Sequence, residues 1–191
     1  MHTLERFFNY NNHLKIILVL PDNQKDYWAK LCIDHSFLIP HKIVSGGNTR
    51  FESVKNGLQA ITETTKAIVA VHDGVRPLVS HETLERCFVH ATTFGNAIPF
   101  IPLNDSIRKV ENGGSHHVNR NDYKAIQTPQ VFDLEIIKTA YQQAFIDLFT
   151  DDASVVESKG LAINLVEGNI ENIKITTPFD IIIAEALLNK A

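Results

Sequence analysis

The sequence is poor in cysteine, has no long apolar run and carries no excess of basic charge, and each shortage excludes something. Only Cys32 and Cys87 occur in 191 residues, with no metal-like spacing, so a reducing cytoplasm is expected rather than a disulfide framework. No apolar stretch approaches the ~20 residues of a membrane span, and no membrane partner is expected. Acidic residues outnumber basic ones 22 to 18, a formal net charge of -4 that argues against nucleic acid as a partner. The opening residues Met1 to Phe8 lack a basic region followed by an apolar core, so they do not read as a secretory signal. Internal repeats and low-complexity tracts are absent, and nothing matches a Ser–His–Asp set on an elbow motif. Disorder is excluded as the main description by a hydrophobic content of 44%.

What is present is an alternation of short aliphatic runs with helical patterns. Leu14 to Leu20, Ala67 to Val71 and Ala97 to Leu103 read as strands. Pro99 and Pro102 predict an irregular or edge position for the third. Leu4, Phe7 and Phe8 share a helical face near the start. Thr49 and Glu52 have capping-box spacing ahead of Val54, Leu58 and Ile61. Ser80 is placed to cap a helix that turns Leu84, Cys87, Phe88 and Ala91 inward. Leu134, Ile137, Tyr141, Ala144, Phe145 and Leu148 predict one long amphipathic helix. Thr177-Pro178 opens a last helix carrying Ile181 to Leu188. The pattern predicts a single α/β domain over 1–191, Rossmann-like, with a mostly parallel sheet. Residues 105–127 interrupt it; they predict a two-stranded arm turning at Asn112-Gly113-Gly114 and needing a surface to pack on, plausible in a partner subunit.

Ligands of parallel sheets bind beyond the carboxyl ends of strands, which selects four loops. Gly46-Gly47-Asn48-Thr49-Arg50 leads into the capped helix, where close backbone approach and unpaired amide donors suit an anion or a base edge; on these residues alone a plain tight strand-to-helix turn is the favoured reading. In His72-Asp73-Gly74-Val75-Arg76, Asp73 and Arg76 suit a Mg²⁺-bound polyphosphate, or else pair to stabilise their own loop. Lys174 is read on a short strand before the last helix, as a phosphate contact or a solvated charge. Arg120 lies in the arm, either solvated or completing an anion site of another subunit, with Thr128-Pro129-Gln130 after it. Thr150-Asp151-Asp152 reads as a metal site or as a helix cap with acids favourable to the dipole. The adjacent His116 and His117 lack companions for a zinc site, and both cysteines read as core residues.

Six segments, GGNTRFESVKNGL (46–58), VHDGVRPLVS (71–80), AIPFIPLNDSIRK (97–109), NRNDYKAIQTPQVF (119–132), TDDASVVESKG (150–160) and LVEGNIENIKITTPFD (165–180), together resemble the 2-C-methyl-D-erythritol 4-phosphate cytidylyltransferases. The resemblance implies transfer of a cytidylyl group from CTP to an alcohol phosphate, with Mg²⁺, in a homodimer joined through the arm. It implies that Gly47, Asn48 and Ser53 lie against the base, and that Asp73 holds the nucleotide and Mg²⁺. Arg76, Ser106, Thr128 and Thr150 would line the alcohol-phosphate pocket. Lys174, with Arg120 from the partner subunit, would fix the attacking phosphate. Asn48 and Ser106 depart from the family's usual Asp and Thr. Family members also open with a strand and a glycine-rich loop bearing basic residues, whereas this sequence opens at what reads as the following helix; a shortened form that binds CTP weakly is the expectation. Two alternatives stand beside it: a cytidylyltransferase for another polyol phosphate, such as ribitol 5-phosphate, and a non-catalytic dimeric remnant.

Overall fold

In the computed structural model, residues 1–63 and 66–188 are described. Helix α1 (His2–Tyr10) precedes a β–α–β unit of β1 (Ile17–Leu20), α2 (Lys25–Asp34) and β2 (Lys42–Ser45), whose strands pair in parallel. Helix α3 (Arg50–Gln59) then leads to β3 (Ile68–Val71), and α4 (His81–Phe94) to β4 (Asn96–Pro102). Beyond the arm follow β7 (Lys124–Ile126), β8 (Gln130–Asp133), α5 (Leu134–Ala140), α6 (Asp152–Glu157), β9 (Leu165–Glu167) and α7 (Pro178–Leu188). The larger sheet runs β3-β8-β4-β7, with β9 along the remaining side of β4. Because β8 is antiparallel to both β3 and β4, and β9 is parallel to β4, the strands β3, β4 and β9 share one direction. The α/β class and the largely parallel layout are as expected, with β8 and β7 running against the rest.

Local signals explain most boundaries. Thr49 and Glu52 close a reciprocal capping box on α3, and the Ser80 side chain accepts from the Thr83 amide at the start of α4. Gly95 ends α4 in the left-handed region at φ 85, where a side chain would be strained. The arm is the hairpin β5 (Arg108–Glu111) and β6 (Gly114–His117), whose two-residue turn sets Asn112 and Gly113 at φ 51 and 78.

Three expectations are corrected. The proline-bearing strand β4 is internal, paired on both sides. Ile98 donates to Asn164 and the Phe100 carbonyl accepts from Gly168, so Pro99 faces the other side, between the end of the β8 ladder and the start of the β7 ladder. There its carbonyl accepts from the Gln127 amide at 2.8 Å and no N–H is required. The long helix predicted over 134–148 stops at Ala140. The Tyr141 ring stacks on Phe51 at 4.6 Å, and Phe145 and Phe149 also pack on Phe51, so aromatic burial overrides the helical stripe. Lys174 is not on a strand; its segment is tied to the 72–78 loop by one backbone bond, Ile175 to Val75 at 2.9 Å.

The main core gathers Ile98, Phe132, Ile137, Val155 and Val156 under Phe51 and Leu58 of α3. A second cluster lies beneath α4 around Cys87, whose thiol is pushed up to about 12 by burial, as suits an inert core residue. Among the described residues no helix is long and apolar enough to cross a membrane.

Candidate functional site

The carboxyl end of β3 delivers Asp73 into a ring of cations. Its carboxylate lies 3.3 Å from Arg76 Nε, 3.2 Å from Lys174 Nζ and 3.9 Å from Arg50 Nε. Burial works to raise its pKa, but Lys174, Arg50 and Arg76 outweigh burial and hold it below the usual carboxylate range. The predicted residues Asp73, Arg76 and Lys174 are therefore brought together from two loops about a hundred residues apart. Arg76 also donates to the Asn172 carbonyl at 2.7 Å, which holds its guanidinium in place. Three cations and one carboxylate leave the cluster net positive, which suits phosphate oxygens.

Thr128 joins this cluster through a chain of hydrogen bonds whose directions are fixed. His72 Nε2 lies 2.9 Å from the Arg76 carbonyl, which can only accept, so that nitrogen carries the proton. His72 Nδ1 then accepts from the Thr128 hydroxyl at 3.1 Å, and that hydroxyl accepts from the Asp73 amide at 3.0 Å. The Thr128 hydroxyl is thus engaged with His72 and the Asp73 amide within the protein. Burial lowers the His72 pKa to about 4, below the ordinary ~6.5, and an imidazolium would lose its Nδ1 acceptor. The sign follows: the folded state prefers neutral His72, so stability is full above pH ~6.5 and falls as pH drops toward 4. Replacing His72 with glutamine is expected to remove a pH-dependent loss on the order of 2 kcal/mol between pH 7 and 4.5. Urea midpoints of both proteins across that range check it, and parallel curves would refute the assignment.

The Gly46–Ser53 turn, beyond the end of β2, is more closed than its sequence implies. The Gly47 amide donates to Ser53 Oγ at 3.0 Å, and Ser53 Oγ donates to the Thr49 carbonyl at 2.9 Å. Glu52 Oε2 accepts from the amides of Asn48 and Thr49 at 2.6 and 3.3 Å. The expected unpaired donors are therefore satisfied within the turn, two by the capping-box Glu52 and the Gly47 amide by Ser53. Gly47 is required there, since a Cβ would lie 2.3 Å from the Cβ of Glu52. Gly47, Asn48 and Ser53 do share one surface turn, next to Arg50.

Arg50 joins that turn to the rest. Its guanidinium grips the fully buried Asp152 through two bonds, Nη1–Oδ1 at 3.0 Å and Nη2–Oδ2 at 2.6 Å, and Tyr141 donates to the same carboxylate at 2.6 Å. Burial opposes the charge on Arg50, and Asp152 overrides it, raising the guanidinium above its ordinary pKa. Asp151, beside it, caps α6 by accepting from the Ser154 amide and takes a hydrogen bond from the buried Gln130. The acidic pair is thus a cap and a structural anchor rather than a metal site. Thr150 is exposed and lines a cavity of about 120 Å³ with Arg50, Asp151 and Tyr141.

Two predicted residues stand apart from the cluster. Ser106 is exposed before β5, and Arg120 is exposed at the base of the arm, where its guanidinium donates to the Asn104 carbonyl. Among the described residues neither forms an ion pair or hydrogen bond with Asp73, Arg76 or Lys174. Sequence reasoning in turn gave no role to Arg50, His72 or Asn172, whose partners are mostly distant in the chain. Only the placement of Arg50 on the first turn of a capped helix, beside two glycines, could have signalled it.

Among the described residues no three His, Cys, Asp or Glu side chains gather to hold a metal. Asp73 fits the other common arrangement, one carboxylate sharing a hard cation with phosphate oxygens. Fold and cluster together define an α/β protein with a charged, phosphate-suited centre beyond the strand ends.

Comparison with known proteins narrows this. The family model "IspD: 2-C-methyl-D-erythritol 4-phosphate cytidylyltransferase" matches residues 1–190, and the chain belongs to that family. It is 53% identical over 188 residues to the Bacteroides fragilis 2-C-methyl-D-erythritol 4-phosphate cytidylyltransferase, covering 98% of this chain and 85% of the relative. The Bacteroides thetaiotaomicron protein of the same name is 50% identical with the same coverage. Among solved structures, the 4-diphosphocytidyl-2C-methyl-D-erythritol synthase of Anaerococcus prevotii superposes with a TM-score of 0.86 at 28% identity, covering 98% of this chain and 84% of that one.

Proposed function

We propose that the protein transfers the cytidylyl group of CTP to 2-C-methyl-D-erythritol 4-phosphate, a step of isoprenoid biosynthesis. An oxygen of the alcohol phosphate attacks the α-phosphorus of CTP, the new P–O bond forms, and the bond to pyrophosphate breaks. Family membership supports the reaction. The observation that carries the site is Asp73 ringed by Arg50, Arg76 and Lys174. No protein nucleophile is needed, because such transfers rest on positioning and charge neutralisation.

In this reading Gly47, Asn48 and Ser53 hold the base, and Asp73 would hold a Mg²⁺ together with the phosphates. When bound, the ion neutralises phosphate charge and polarises the phosphorus. Arg76 and Lys174 exchange their grip on Asp73 for phosphate oxygens, Lys174 meeting the attacking phosphate. Thr128, Ser106 and Thr150 line the alcohol side, and Arg120 reaches the same pocket from a second copy joined through the arm. The exposed hairpin supports that homodimer, and two unpaired thiols support a cytoplasmic setting.

Release of pyrophosphate from CTP and Mg²⁺, with methylerythritol phosphate or ribitol 5-phosphate as acceptor, tests the reading. The expected result is a clear preference in kcat/KM for the methylerythritol substrate; a preference for ribitol phosphate, or turnover with neither, would overturn it.

A further inference from the structure

We propose that Asn172 is a positioning residue for the phosphate pocket: its buried side-chain amide ties down Thr128, and so sets the main-chain carbonyl that holds Arg76 and the chain leading to Lys174 in one frame. The inference rests on the functional reading above and assigns the frame that its residues share. Asn172 is 0% exposed, in the loop between β9 and α7. Its Nδ2 donates to the Thr128 carbonyl at 2.8 Å and lies 3.4 Å from Gln127 Oε1. Its own carbonyl accepts from Arg76 Nη1 at 2.7 Å and from Gln127 Nε2 at 3.3 Å. Lys174 follows two residues later. One buried residue thus touches the Thr128 and Arg76 segments and belongs to the Lys174 segment.

The direction of every bond is determined. Gln127 Nε2 faces two carbonyls, those of Asn169 and Asn172, so the Gln127 oxygen must point at Asn172. Asn172 in turn faces the Thr128 carbonyl and the Gln127 oxygen, two acceptors, and only its NH₂ group can meet them. Its Oδ1 is left buried with no partner among the described residues. The Asn172 amide donates into the 127–128 segment and the Gln127 amide donates back to the Asn169 and Asn172 carbonyls, so the two side chains tie that segment to the Lys174 loop. Arg76 reaches Asp73 and Asn172 together, so displacing the Asn172 carbonyl shifts the guanidinium relative to Asp73.

The test is Asn172→Asp, which keeps the shape, removes the donor and sets a carboxylate against two acceptors. Amide NMR titrations of wild type and variant with methylerythritol phosphate, inorganic phosphate and CTP give the affinities, and steady-state kinetics give the split between KM and kcat. The variant is expected to bind the alcohol phosphate and inorganic phosphate about tenfold more weakly, as for one lost polar contact, with CTP affinity within about twofold. KM for the alcohol phosphate rises more than KM for CTP. Equal weakening for all three ligands, or none, overturns the proposal. If wild type binds inorganic phosphate but not methylerythritol phosphate, the functional reading fails, while the phosphate comparison still decides the role of Asn172. Wild type binding neither phosphate overturns both. Gln127→Glu, which removes the donor on the other side of the amide pair, is expected to repeat the selective loss. If neither variant folds, the pair is structural and the proposal is overturned.

Discussion

Asp73→Asn is expected to lower turnover by about a hundred- to a thousandfold, the scale seen when a charge-organising group leaves an active site. The same change is expected to tighten binding of metal-free CTP. Counting Asp152, which grips Arg50, three cations and two carboxylates sum to a net charge of +1; with Asp73 neutralised the sum is +2. Phosphate oxygens then meet more positive charge, while the metal loses its protein ligand. The two effects have opposite signs, which separates this cause from general damage. Nucleotide binding measured with EDTA and with Mg²⁺, beside pyrophosphate release, checks both. A variant turning over within about tenfold of wild type removes Asp73 from the centre of the mechanism.

Arg50→Met is expected to destabilise the fold by about 3 kcal/mol, because it strands a fully buried carboxylate. Asp152 would keep only the Tyr141 hydroxyl of its present partners. The double variant Arg50→Met, Asp152→Asn removes the stranded charge and is expected to regain a large part of the loss. Urea unfolding of the two variants measures the cycle. A single variant within ~1 kcal/mol of wild type would mean that the pair is solvated and weak.

What could be read from the sequence was whatever depends on near neighbours. The Thr49–Glu52 box, the Ser80 cap and the Asn112-Gly113 turn each need three or four residues, and each formed as written. The stripe from Leu134 to Leu148 failed because Phe51, far earlier in the chain, offers its aromatic side chains a better surface than a continued helix does. Pro99 misled for a related reason: its tolerance in an internal strand depends on where two other ladders stop and start. The site divides in the same way. Asp73 and Arg76 announce themselves three residues apart, whereas Arg50 meets Asp152 across 102 positions and Asn172 meets Thr128 across 44. No local pattern encodes such pairs. The engagement of the Asn48 and Thr49 amides was obscured by a signal that was itself correct, since the capping-box Glu52 that starts the helix also accepts from both, while Ser53 takes the Gly47 amide.

The division of the strands into two sheets has a mechanical consequence. The parallel pair β1-β2 and the five-stranded sheet share no backbone ladder, and α3 lies across both. Its Gly57 packs close to a methyl group of Val19 on the small sheet, while its Phe51 and Leu58 sit in the core of the large one. The first turn of this same helix bears Arg50 and Ser53 and follows directly on Gly47. The joint of the molecule and the rim of its pocket are one piece of chain. A ligand gripping that rim therefore also clamps the two halves together, and its binding energy is shared with the cohesion of the whole fold.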